Sequence, residues 1–228
     1  MANTPGAEPW TDADSARLAA CRVHIELQTG RPVTPPLELA VSFRPTFSTD
    51  EIMMAAGPFD LFNFQPVGNG SYQRGGGLFL GTGPIGLAAT GVFAAARFAG
   101  NRSRKKRAEA DAVPRWVQVD TGQLIVSDRG FYLETRSGLH SWNYDDINQV
   151  EMAAPSHLIM AGTSANGPVR WIIRSDWAEL IFVLWVNRFA PRHPQLADGS
   201  WLPPGWVEHV RTHGHAGPIE ASRGVLGQ

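Results

Sequence analysis

Three groups of residues have types and spacings that can do chemistry. The first is the run Gly-Thr-Gly-Pro-Ile-Gly, which sets Gly81, Gly83 and Gly86 in the G-x-G-x-x-G spacing. Glycines so spaced let a pyrophosphate approach a helix N-terminus, the geometry of dinucleotide binding. The second is a basic cluster, Arg97, Arg102, Arg104, Lys105, Lys106 and Arg107, which closes an uncharged run over residues 78–96. The third is a late set of histidines, His193, His209, His213 and His215, of which His209 and His213 share a helix face and invite a metal.

The nucleotide reading meets obstacles in the letters. The apolar residues ahead of the motif number three, Leu78, Phe79 and Leu80, which is short for a strand. An acid for the ribose belongs about 20 residues past the last glycine. Lys105 and Lys106 stand there instead, and no further strand–helix–strand units follow. The metal reading meets obstacles as well. Glu208-His209 lacks the partner histidine that a zinc-protease helix needs, and no G-x-S-x-G occurs. Asp145-Asp146 reads as turn chemistry. The expectation is therefore no catalytic residue, no cofactor and no metal.

A long apolar run stopped by a basic cluster is how a chain meets an anionic membrane surface. Leu78, Phe79, Leu80, Ile85 and Phe93 are the expected apolar contacts. Arg102, Arg104, Lys105, Lys106 and Arg107 are the expected head-group contacts. A full span needs about 20 apolar residues, and this run carries five glycine or proline residues, so shallow insertion fits as well as spanning. No aromatic is interleaved with the basic residues, which argues against nucleic acid.

Composition narrows the field. The 228 residues suffice for one substantial domain. A net charge of −1 excludes global capture of an anionic partner, so any such attraction is local. Cys21 is the lone cysteine, which rules out internal disulfides and suits a reducing compartment. The acidic, unpatterned N-terminus is no secretory signal.

Elements follow from periodicity. Thr11 or Asp12 caps a helix reaching about Thr29, with Ala16, Ala19, Val23 and Leu27 on one face. Four prolines make residues 31–50 a linker or ordered arm, with a candidate strand over 37–43. Residues 51–64 offer a strand broken at Gly57-Pro58. From Arg115 the texture turns to strands and tight turns: 116–119, a turn at Thr121-Gly122, 123–127, 131–135, 139–144, 147–152, 157–161 and 169–174. A helix over 176–190 follows, with Asp176 as cap and Glu179 completing a capping box. Its apolar residues cover more than one face. Phe182, Trp185, Val186 and Phe189 are the expected protein interface, meeting residues 84–99 or a second protomer. A short helix near 204–211 closes the ordered chain.

An antiparallel meander ended by one helix resembles the layout of pleckstrin-homology-like domains. Residues 122–134, GQLIVSDRGFYLE, resemble the hairpin of bacterial pleckstrin-homology and GRAM-type domains. Residues 141–151, SWNYDDINQVE, resemble their aromatic-x-x-D-I-x-x-V-E segment, with Trp142, Tyr144, Asp146, Ile147 and Val150 at matching positions. The resemblance covers roughly residues 115–190. It implies a mainly β fold with helices: an antiparallel sandwich or partly open barrel capped by a C-terminal helix. An N-terminal helical arm (1–50), a candidate first strand (51–74), a helical apolar and basic insertion (75–114) and a tail (191–228) surround it. The implied function is a non-enzymatic, membrane-proximal binding or scaffolding module at the cytoplasmic face of the cell membrane. Its partners would be anionic lipid and a protein partner or second copy. A nucleotide-binding oxidoreductase using residues 81–86 is the alternative.

Overall fold

A computed structural model describes residues 8–65, 115–164 and 167–215. The chain divides into two units, one of residues 1–62 and 118–228, the other of residues 63–117. In the first, helix α1 (Asp12–Gln28) leads into the sheet. The strands are β1 (Met53–Gln65), β2 (Arg115–Ser127), β3 (Gly130–Thr135), β4 (Gly138–Asn143), β5 (Ile147–Ala154), β6 (His157–Ser164) and β7 (Gly167–Arg174). A single 3₁₀ turn, Tyr144–Asp146, joins β4 to β5. Helices α2 (Ala178–Phe189), α3 (Pro194–Asp198) and α4 (Trp206–Thr212) follow.

The seven strands make one antiparallel, unclosed sheet in the order β4-β3-β2-β1-β7-β6-β5. Two meanders, β2-β3-β4 and β5-β6-β7, therefore flank the first strand. Two-residue turns set the registers: Asp128-Arg129 pairs Val126 with Phe131, and Arg136-Ser137 pairs Thr135 with Gly138. Among the described strands, β4 and β5 lie at the sheet's edges.

Two expected breaks are absent. β1 runs on through Gly57-Pro58, because Gly57 makes room for Trp177: a side chain there would meet the indole at 2.9 Å. The Trp177 indole N–H donates to the Ala56 carbonyl at 2.9 Å across that strand. Likewise β2 runs on through Thr121-Gly122. Gly122 sits against the backbone of β3, where a Cβ would lie 2.0 Å from the Glu134 carbonyl oxygen. Glycine marks a close approach at both places, and only the neighbour, which lies far off in sequence, distinguishes that from a turn.

Each sheet face carries a packed cluster. One carries the main core, from Leu124, Phe131, Leu158 and Ile173 on the strands to α1 and α2. On the other, Leu39, Val41, Phe43 and Phe47 pack on Met53, Ile125 and Tyr132. Residues 31–50 thus form an irregular strap, without the strand expected over 37–43. The Tyr132 hydroxyl anchors it, accepting from the Thr46 amide at 2.9 Å and donating to Glu51 at 2.7 Å.

Nine successive residues of α2, from Ala178 to Val186, are buried. A helix apolar all round needs partners all round. β5 and β6 take one side, α1 another, and the chain around Trp201 a third. The second face of α2, expected to need the apolar run or another protomer, is met inside the chain. Phe182 and Val186 are fully buried and Trp185 nearly so. Phe189 alone of the four expected interface residues stays exposed, at 40%.

The start of α2 differs from expectation. Trp177 is its N-cap and makes no side-chain cap bond; Asp176 is not the cap. Glu179 caps nothing, since its carboxylate is drawn inward by α1. The cap of α1, by contrast, is a full capping box between Thr11 and Asp14.

Candidate functional site

The apolar and basic residues expected at a membrane, Leu78, Phe79, Leu80, Ile85, Phe93, Arg102, Arg104, Lys105, Lys106 and Arg107, lie outside the described residues, as does the glycine motif. Their attachment is described. Residues 66–114 connect β1 to β2, which are neighbours in the sheet. In this second unit, Phe64, next to last in β1, is 48% exposed; its ring lies 5.3 Å from Trp116 near the start of β2. An aromatic ring thus stands one residue inside each strand that the connection joins. Among the described residues no helix is long and apolar enough to cross a membrane.

Buried chemistry gathers where α1 meets α2. Arg17 donates from Nε to Glu179 Oε1 at 2.9 Å and pairs with Asp14 at 3.0 Å. The Ser156 amide donates to the same Glu179 oxygen at 3.0 Å. Ser156 sits at φ 62° in the β5–β6 turn, left-handed backbone that a side chain tolerates poorly. Arg17 also stacks over the Trp206 ring at 5.0 Å. Burial pushes the Glu179 carboxyl above its usual range, and this outweighs the lowering by Arg17 and Ser156. Next to this pair, burial pushes the Cys21 thiol up to about 12. At neutral pH it therefore stays protonated.

The late histidines have a structural task. His209, His213 and His215 surround the Trp10 ring at 5.5, 5.5 and 4.4 Å, and Trp206 stacks beside it at 5.9 Å. His209 Nε2 lies 3.5 Å from Asp14. The Asp14 carboxyl feels burial that raises it. Hydrogen bonds with Thr11 and the charges of His209 and Arg17 prevail and hold it below its usual range. The C-terminal helix is thereby clasped to the start of α1. Among the described residues no three His, Cys, Asp or Glu side chains converge as a metal site.

The edge strand β5 is dressed by side chains from α2 and α3. Gln195 accepts from the Met152 amide and donates to the Met152 carbonyl, both at 2.9 Å. A carboxamide here meets the strand as a neighbouring peptide would. His193 Nε2 lies 3.1 Å from the Val150 carbonyl, and the Trp185 indole donates to the Tyr144 and Ile147 carbonyls at 3.2 and 3.3 Å. None of these roles was visible in the sequence. Gln195 sits after a proline in a stretch without period, and its partner is 43 residues away.

An open cleft of about 630 Å³ lies between the C-terminal ends of α1 and α2 and the β2–β3 turn. Its charges are already matched: Arg129 pairs with Asp128 at 3.3 Å and Arg188 with Asp145 at 3.2 Å. No protein-family model matches this chain, and no curated protein matches it.

Proposed function

We propose that this chain is a pleckstrin-homology-like binding module that works at the cytoplasmic face of a membrane. Residues 78–107 make reversible contact with anionic lipid, and the protein carries out no catalysis of its own. The observation that carries this reading is where the apolar and basic segment is attached. It joins β1 to β2, the first strand and its neighbour, so both its ends leave the same end of one ladder. Phe64 and Trp116 stand at that root, and aromatic rings favour the boundary between water and lipid. The strand order, with two meanders flanking the first strand, supports the pleckstrin-like assignment, as does α2 set against β5 and β6. An apolar anchor joined to several basic residues suffices for reversible recruitment.

The test is co-sedimentation of the full chain with phosphatidylserine-containing vesicles at rising salt, beside a fluorescence titration with NADPH. The expected result is vesicle binding that weakens with salt, and no saturable NADPH signal. Saturable NADPH binding without vesicle binding would overturn the reading in favour of the glycine motif.

A further inference from the structure

The two edges of the sheet are treated differently. On β5 the outward backbone groups of Ile147, Val150 and Met152 are met by Trp185, His193 and Gln195. On β4 no described residue plays that part. The Arg136-Ser137 turn makes Thr135 and Gly138 a hydrogen-bonded pair, so the ladder's alternation turns the peptide groups of Leu139, Ser141 and Asn143 away from β3. Residues 138–141 are exposed, and Leu139 shows 41% of its surface.

An open edge usually carries a charge or a proline that repels a second strand. Residues 138–143, GLHSWN, carry neither. We infer that β4 pairs antiparallel with β4 of a second copy of this chain, about a two-fold axis at Ser141. An uncharged edge is compatible with itself, whereas a charge near the axis would meet its own copy. That axis sets Leu139 opposite Asn143 of the copy. It also brings the end carrying Arg136 over the end carrying Asp145 and Asp146. Arg136 and Asp146 are both exposed, and neither has an ion pair among the described residues. The two-fold therefore offers each a partner of opposite charge. One short ladder is a small interface, so the dimer is weak and reversible.

Sedimentation velocity of the full chain over roughly a hundredfold concentration range tests this. The mass is expected to rise from 24.8 kDa towards twice that value. Ser141→Lys, which sets like charges face to face at the axis, is expected to hold the mass at one chain. Arg136→Asp should weaken the dimer, and Arg136→Asp with Asp146→Arg should restore it. The substituted side chains are exposed, and circular dichroism melts check that folding is kept. A wild type that stays monomeric throughout overturns the inference. So does a Ser141→Lys variant that still dimerises, the outcome expected if copies associate through residues 78–107. Failure of the charge swap to restore the dimer overturns it as well.

Discussion

When α2 docks on α1, the Glu179 carboxylate loses its water and gains Arg17 and the Ser156 amide. Desolvation still wins, so the folded carboxyl binds its proton more readily than the unfolded one. A carboxyl raised by folding works against stability while ionised, and this cost fades as pH falls through its folded value. Removing Arg17 strips away the largest lowering influence. Arg17→Met is thus expected to lose about 3–5 kcal/mol at neutral pH, with the deficit shrinking on acidification through the carboxyl range. Glu179→Gln can still accept from Arg17 and Ser156, so it should cost less and show no such recovery. Urea denaturation of both variants at neutral and acidic pH measures this; a deficit in Arg17→Met that grows on acidification contradicts it. The Cys21 thiol, fully buried and raised to about 12, should resist alkylation by iodoacetamide in native buffer and react once urea unfolds the chain.

At the scale of elements, the covering of β5 makes a second prediction. Gln195→Ala removes both bonds to Met152, a residue that is 5% exposed. Each such bond is worth about 1 kcal/mol, so roughly 1–2 kcal/mol should be lost in thermal or urea melts. An unchanged midpoint would show that water replaces the carboxamide at no cost.

Legibility in the sequence followed the range of each interaction. The hairpin turn at Asp128-Arg129, the Thr11 cap and the strand β5 are local, and each reads directly from neighbouring letters; the second turn, read at Ser137-Gly138, lies one residue earlier, at Arg136-Ser137. Gly57 and Gly122 misled, because a glycine admitting a distant Trp177 or a neighbouring strand looks like one that makes a turn. Glu179 misled likewise: three residues after Asp176 it has capping spacing, but its partner Arg17 is 162 residues away. The histidines suggested a metal through their helix spacing, while Trp10, which they enclose, lies at the other end of the chain. The strap over residues 31–50 has no period at all, since its register is set by the sheet it covers.

For the whole molecule, a net charge of −1 gives no long-range pull towards anionic lipid, so the proposed recruitment rests on a local cluster. Surface attraction fades beyond a Debye length of about 8 Å at physiological salt. Arg102, Arg104, Lys105, Lys106 and Arg107 lie within a few residues of the apolar run in sequence, so in the proposed contact they would meet the head groups. Each basic residue near an anionic leaflet contributes about 1 kcal/mol, so on the proposed reading the five together would decide whether the protein is bound.

The most direct measurement is co-sedimentation with phosphatidylserine-containing and with neutral vesicles, comparing the parent with a variant in which those five residues are Gln. The account predicts that the parent binds the anionic vesicles and that the variant's affinity falls by several kcal/mol, on the scale of about 1 kcal/mol per charge. The two proteins should melt alike, since exposed charges seldom carry stability. Equal sedimentation of parent and variant with anionic vesicles would contradict it.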